Sequence, residues 1–134
     1  MRRQFRLPSE DESHLASIGL PWETVVEGRT RWLLIHDRPV PNGYTHDRIS
    51  TALMIPTGYP DAQIDMVYFR PELVRRDGRA IGALSQQQID GQQWQRWSRH
   101  RTSENPWRPG VDDVAGHLVL VDHWLERELV KRCA

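Results

Sequence analysis

Residues 55–69 carry the sequence IPTGYPDAQIDMVYF, a turn that leads directly into a strand. Proline and glycine between residues 56 and 60 predict the turn, because both residue types favour the backbone angles found in turns. Apolar side chains then alternate from Ile64 to Phe69, and this period of two predicts a strand over residues 62–69. It is the fourth strand that the sequence predicts.

The other three predicted strands precede this turn. Alternating apolar residues predict a strand over residues 48–55, and a loop rich in proline, asparagine and glycine precedes it over residues 37–47. Large apolar residues predict two further strands over residues 22–27 and 30–36, joined by a tight turn at Gly28. The four strands together form an antiparallel meander.

Helices are predicted near both ends of the chain. Residues 10–18 form a short helix, with Ser9 as the N-cap and Glu12 completing a capping box. Residues 111–131 form an amphipathic helix, because apolar residues recur three or four positions apart: Val111, Val114, Leu118, Val121, Leu125 and Leu129. Residues 70–110 show no clear period and are predicted to be a long loop with at most short helical pieces. This order indicates an α+β fold.

The composition is that of one globular domain spanning residues 1–134. The 18 basic and 18 acidic residues give no net charge, so no global charge favours binding to nucleic acid or an acidic membrane. The longest apolar runs, at residues 32–35 and 118–121, are too short to span a bilayer, and no apolar stretch follows the basic start. A cytoplasmic location is therefore expected, and no cofactor is predicted.

Several short motifs follow one another in a characteristic order. They are Tyr59-Pro60 in the turn, Phe69 ending the fourth strand, Asp77-Gly78 with Ile81, and Trp107-Arg108-Pro109 before the helix. In this order they resemble ubiquitin-conjugating enzymes, the UBC-like superfamily. The stretches GLPWE, GYPDAQIDM, DGQQWQRWSRHR and PWRPGVD are further similar to a bacterial branch, prokaryotic family E, over about residues 7–125. The resemblance implies a UBC-like fold in which the long loop is of the active-site type.

The resemblance also implies a function and a set of partners. It implies that the chain takes part in a bacterial ubiquitin-like protein conjugation pathway. The implied partners are a ubiquitin-like protein, its activating enzyme and another protein of the pathway. The oligomeric state is not implied.

The residues that carry conjugation chemistry in this superfamily have no counterpart at the matching positions. A cysteine follows the Gly…Ile pair in the superfamily, but Gly82 follows Ile81 here. The His-Pro-Asn that supplies oxyanion stabilisation is also absent, since residues 71–74 are Pro-Glu-Leu-Val. An insertion rich in glutamine, tryptophan, arginine and histidine then occupies residues 85–106. The orthodox carrier site has therefore lost its nucleophile.

Two other nucleophiles are weak candidates. Cys133 is the only thiol, but it lies beyond the predicted helix, whereas a carrier needs its acyl bond held and oriented. Ser85 lies near the vacated position, and His100 in the insertion is a candidate base for it, because a hydroxyl needs an adjacent base to attack. The alternatives are an incidental thiol, a loop serine and a surface histidine.

The segment WQRWSRHR, residues 94–101, is a candidate partner-binding surface, because tryptophan and arginine are enriched at binding hot spots. The residues concerned are Trp94, Arg96, Trp97, Arg99, His100 and Arg101. Two alternatives remain open: the tryptophans cover the core while the arginines face solvent, or the aromatic and basic residues stack on nucleic acid.

The remaining motifs indicate structure more than chemistry. Tyr59, Pro60, Trp107 and Pro109 are predicted to be fold determinants. No metal site is predicted: His117 and His123 are six positions apart on a helix and so face different directions, while His36 and His46 can meet across a loop but have no evident third ligand. The leading hypothesis is a UBC-like subunit that binds or positions its partners. The alternatives are an active conjugating enzyme with a displaced nucleophile, Cys133 or Ser85, and a nucleic-acid-binding module.

Overall fold

The computed structural model describes residues 1–130, which form two helices and a single six-stranded sheet. In chain order these are α1 (Ser9–Ile18), β1 (Trp22–Glu27), β2 (Thr30–Pro39), β3 (Arg48–Met54), β4 (Val67–Arg70), β5 (Leu84–Ile89), β6 (Gln92–Trp97) and α2 (Val114–Val130). The strands pair antiparallel in the order β1-β2-β3-β4-β6-β5. The predicted α+β class, with a helix at each end of a meander, is confirmed.

The predicted long loop is wrong over its central part, because β5 and β6 form a hairpin there. The turn residues Asp90 and Gly91 have φ of 54° and 72°, and two left-handed residues in succession are the mark of a type I′ hairpin turn. The hairpin pairs through β6 with β4, so it extends the four-stranded meander into a six-stranded sheet with β5 at the edge. Its strands, LSQQQI and QQWQRW, are rich in glutamine and have few apolar side chains, so their sequences show no apolar alternation.

The ends of three other elements differ from the prediction. Helix α1 has no side-chain cap; the Glu12 carboxylate instead accepts the Leu7 backbone N–H at 3.0 Å, so the predicted capping box is wrong. Strand β4 begins only at Val67, because Met66 has a left-handed φ of 56° that interrupts an extended chain. Helix α2 begins at Val114, three residues later than predicted.

The sheet buries apolar side chains on both faces. One face packs against both helices and forms the main core, which includes Leu15, Leu33, Phe69, Trp97, Val121 and Leu125. The opposite face carries a second cluster, composed of Val25, Trp32, Leu34, Ala52, Tyr68, Ile89 and Trp94. Because a twisted sheet curls on itself, the β5–β6 hairpin reaches back toward the first strand and covers this second cluster.

The N-terminal segment holds the curled sheet together. The Gln4 backbone N–H donates to the Thr24 carbonyl at 2.9 Å, which places this segment along the outer edge of β1. The Arg2 guanidinium pairs with Glu23 at 2.8 Å and with Asp90 at the hairpin tip at 2.6 Å. The Asp90 backbone N–H also donates to the Glu27 carboxylate at 3.0 Å. The hairpin tip is thereby tied to the opposite end of the sheet.

Two polar contacts anchor α2 to the sheet. The Tyr44 hydroxyl donates to the Leu125 carbonyl at 2.6 Å, and Arg38 pairs with Asp122 at 2.9 Å. Within residues 1–130, neither helix is long and apolar enough to cross a membrane.

Candidate functional site

The position at which the superfamily places its cysteine lies on the surface, directly before the hairpin. Gly82 is exposed, and a Cβ atom added to it would meet no other atom within 4 Å. Its carbonyl oxygen accepts a hydrogen bond from Arg99 Nη1 at 3.0 Å. The next carbonyl, that of Ala83, accepts the Ser98 backbone N–H at 3.0 Å. The backbone at Gly82 is thus held in place while its side-chain position is open.

Arg99 connects this backbone to the end of α2. Its Nη2 lies 3.1 Å from Glu128 Oε1, and the Glu128 side chain is buried although it carries a carboxylate. Arg75 lies on the other side of the same carboxylate, with Nη1 3.9 Å from Glu128 Oε2. Two guanidinium groups therefore surround one buried carboxylate, as the burial of a charge requires.

Arg75 also caps the C-terminal end of α2. Its guanidinium donates to the backbone carbonyls of Glu128 at 2.5 Å and Leu129 at 3.2 Å, where a helix leaves carbonyls without partners. The same guanidinium pairs with Asp77 at 2.6 Å. This pairing holds the pKa of Asp77 below its usual range. The segment that leads to Gly82 is therefore fastened to the helix end.

A cavity of about 220 Å³ lies beside this network. Its lining residues are Arg99, Trp124, Arg127 and Glu128, so it combines an aromatic wall with two cations and one carboxylate. Arginine binds carboxylates and carbonyl oxygens through directed hydrogen bonds, and tryptophan supplies apolar contact area. The cavity together with Gly82 is the candidate site, called here the Gly82 surface.

Ser85 and His100 do not meet. The Ser85 hydroxyl accepts a hydrogen bond from Arg96 Nε at 2.8 Å, in the wall of a cavity of about 390 Å³ that Glu72 and Gln93 also line. His100 is exposed, and its Nδ1 lies 3.0 Å from the Asp65 carboxylate. A serine bonded to an arginine has no base to remove its proton, so these two residues do not form the predicted pair. Cys133 lies outside the described residues.

Trp94 and Trp97 are core residues. Trp97 is fully buried and meets Phe69 edge to face, with ring centroids 5.3 Å apart. Trp94 is 3% exposed and belongs to the cluster on the opposite face. Side chains of a β-strand alternate between its two faces. Trp94 and Trp97 are an odd number of positions apart in β6, so they point to opposite faces and pack in different cores. Both indoles are buried, which corrects their assignment to an exposed binding surface.

The arginines of the insertion also make internal contacts. The Arg101 side chain is 5% exposed; its guanidinium lies 4.8 Å from the Trp107 ring and 3.5 Å from His117 Nδ1. With Arg96 bonded to Ser85 and Arg99 to Glu128, the predicted row of solvent-facing cations is not present. The expected nucleic-acid platform of aromatic and basic side chains is absent from this part of the described chain.

The Tyr-Pro and Trp-x-Pro motifs have structural contacts. The Tyr59 hydroxyl donates to Asp11 Oδ2 at 2.6 Å and accepts the Val114 backbone N–H at 3.0 Å, so it joins α1 to the start of α2. The Trp107 indole N–H donates to the Pro60 carbonyl at 3.0 Å. Pro109 is exposed in the turn before α2. Among residues 1–130, no group of three metal-ligating side chains is placed to hold a metal ion.

Sequence reasoning missed the charged half of the Gly82 surface. Glu128 lies one helical turn after Leu125, within the apolar stripe of α2, and a carboxylate at such a position is a signal of a buried ion pair. Arg75 lies in an irregular segment, RPELVRRDG, where nothing distinguishes it from Arg76 beside it.

A family description, Prokaryotic E2 family E, matches residues 7–128 of the chain. The match covers the sheet, both helices up to Glu128 and the whole Gly82 surface. No curated protein and no solved structure matches the chain.

Proposed function

Because this chain belongs to prokaryotic E2 family E, a group within the UBC-like superfamily, we propose that it binds and positions partners in a ubiquitin-like conjugation pathway. Family membership indicates the role in such a bacterial pathway. The proposal adds the mechanism: the chain holds a ubiquitin-like protein, its activating enzyme or a catalytic partner at the Gly82 surface, and another protein supplies the nucleophile.

The observation that carries the proposal is the exposed glycine at the cysteine position. Acyl transfer needs a side-chain nucleophile, and Gly82 has none. Its backbone is nevertheless held by Arg99, which is itself held by the buried Glu128. A site that has no nucleophile but has a fixed backbone supports a role in positioning a partner protein.

The neighbouring cavity supports binding of a carboxylate or an extended main chain. Arg99 and Arg127 supply cationic donors, and Trp124 supplies an aromatic wall. These are the residue types that dominate binding energy at protein interfaces. A flexible chain end of a partner fits a shallow cleft of this kind.

The direct test combines binding with a search for a covalent adduct. The purified chain, carrying Cys133→Ala, is mixed with a bacterial ubiquitin-like protein, its activating enzyme and ATP. We expect a non-covalent complex that Arg127→Glu weakens and no adduct on a denaturing gel. An adduct on the Cys133→Ala chain would contradict the positioning role. An adduct on the unmodified chain alone, lost to reductant and hydroxylamine, would identify Cys133 as a carrier.

A second test restores the missing thiol. Gly82→Cys fits without strain, because its backbone is outside the left-handed region and its Cβ direction is empty. In the Cys133→Ala background we expect Gly82→Cys to accept the ubiquitin-like protein as a thioester. Ser85→Cys is the matched control, three residues away but facing Arg96, and we expect no adduct from it. Equal adducts from both cysteines would contradict a specific site at Gly82.

A further inference from the structure

Three polar side chains from adjacent strands form a chain of hydrogen bonds on the sheet face opposite the helices. His36 Nδ1 lies 2.8 Å from the Ser50 hydroxyl, and His36 Nε2 lies 2.7 Å from Glu23 Oε2. Ile35 pairs with Thr51, and the register then shifts between Ile35 and Arg38, so His36 lies at this irregularity beside Ser50. Glu23 reaches His36 from β1 on the same face.

The positions of the protons follow from the acidity of Glu23. The hydrogen bond from Arg2, and then that from His36, lower the pKa of Glu23 to about 2 although burial opposes this. An ionised carboxylate only accepts hydrogen bonds, so His36 Nε2 must carry the hydrogen that it shares with Glu23. With one ring proton placed on Nε2, Nδ1 is the acceptor, and the Ser50 hydroxyl donates to it. This is the arrangement of an acid, a base and a nucleophile in a serine relay.

We propose that Ser50 is an activated nucleophile, with His36 as its general base and Glu23 as the residue that positions His36. The site would act on activated acyl compounds such as esters and thioesters. It is separate from the Gly82 surface, and the proposal does not rest on the role proposed for that surface.

The surroundings of Ser50 suit this chemistry. Arg70 pairs with Ser50 across the β3–β4 ladder, so the two side chains share one face of the sheet. Arg70 is exposed, and none of the carboxylates in residues 1–130 pairs with it. A cation on the same face as the nucleophile can stabilise the negative charge that develops on an attacked carbonyl oxygen. The His36 side chain is 26% exposed, so the relay is open to solvent and to a substrate.

The reaction proceeds in two balanced steps. The Ser50 oxygen attacks the acyl carbon, its proton passes to His36 Nδ1, and the leaving alcohol or thiol departs with that proton. Water then attacks the acyl-serine ester, gives a proton to His36, and releases the carboxylic acid while Ser50 regains its proton.

The first experiment labels the whole protein with diisopropyl fluorophosphate. Attack by Ser50 forms an oxygen–phosphorus bond, expels fluoride and transfers the proton to His36. We expect one label per chain, placed on Ser50 by peptide mass spectrometry. Labelling spread over several serines, or no labelling of the folded protein, would overturn the proposal.

Variants separate activation from a structural role. We expect Ser50→Ala to abolish the label, and His36→Gln and Glu23→Gln each to slow labelling by about 100-fold or more. Ser85→Ala is the matched control, because that hydroxyl is bonded to an arginine, and its labelling rate should equal that of the unmodified protein. Thermal unfolding confirms that each variant is folded. An unchanged rate in folded His36→Gln would show that the hydrogen bonds are only structural.

Hydrolysis of p-nitrophenyl acetate gives an independent measurement. A burst of p-nitrophenol followed by slower turnover is expected, since acylation precedes hydrolysis. Loss of the burst in Ser50→Ala supports the acyl-serine. An equal burst in that variant would refute it.

Discussion

His117 should make this protein sensitive to mild acid. Its imidazole is fully buried on α2, and Nε2 donates to the Met66 carbonyl at 2.9 Å. Nδ1 faces the Arg101 guanidinium at 3.5 Å, so this second nitrogen accepts and carries no proton. Burial, reinforced by the Arg101 charge, lowers the pKa of His117 from 6.5 to about 4.

The size of the effect follows from the difference between folded and unfolded chains. The unfolded chain binds a proton at His117 below about pH 6.5, whereas the folded chain excludes it down to about pH 4. Stability from the neutral imidazole is therefore complete above pH 6.5 and is lost as the pH falls through this window. At about 1.4 kcal/mol for each unit of pKa, the loss amounts to about 3 kcal/mol.

The measurement is the free energy of unfolding in urea at a series of pH values between about 7 and 4. We expect His117→Gln to be less stable than the unmodified protein near neutral pH, and its stability to fall less steeply on acidification. The control is His123→Gln, on the exposed side of the same helix, which should follow the unmodified curve. Comparing variants cancels the acid titration of carboxylates such as Glu23.

Two results would refute this reasoning. One is a His117→Gln curve that runs parallel to the unmodified one from neutral pH to about pH 4. The other is an NMR titration in which the His117 ring takes up its proton near pH 6.5 in the folded protein.

Three further changes have expected outcomes that urea unfolding can check. Tyr59→Phe should cost about 1–3 kcal/mol, because the Asp11 carboxylate and the Val114 N–H both lose the same hydroxyl partner; an unchanged midpoint would contradict its joining role. Trp97→Ala should cost about 3–5 kcal/mol or prevent folding, as for a large core aromatic, and a loss below about 1 kcal/mol would place it outside the core. Gly91→Ala should destabilise by about 1–2 kcal/mol because its φ is 72°, whereas Gly82→Ala should have little effect; equal losses would refute the argument from backbone geometry.

The first three strands could be predicted from the sequence because their apolar residues alternate and clear turn residues separate them. The β5–β6 hairpin was missed although Asp90-Gly91 is a recognised hairpin signal, since glutamines occupy most positions around it. Without the hairpin, the sequence places Trp94 and Trp97 in a loop, whereas each of them packs in the core on one face of the sheet.

The candidate sites depended on contacts between residues distant in the chain. Gly82 could be identified because it follows a local motif. The partners that hold it, Arg99 and Glu128, come from other elements, and only the folded sheet shows that Glu128 lies between two arginines. Likewise, spacing alone relates His36 to His46 but not to Ser50, because the register shift between Ile35 and Arg38 cannot be read from the sequence.

The link between Arg2 and Asp90 affects how the chain is made. Arg2 is synthesised 88 positions before Asp90, its partner at the hairpin tip. The β1–β2 hairpin can form from neighbouring residues long before that, while the N-terminal segment has no hairpin tip to bind. The segment around Arg2 therefore reaches its final contacts only after the β5–β6 hairpin has been made, and a substitution that breaks the Arg2–Asp90 pair would interfere with the completion of folding more than with its start.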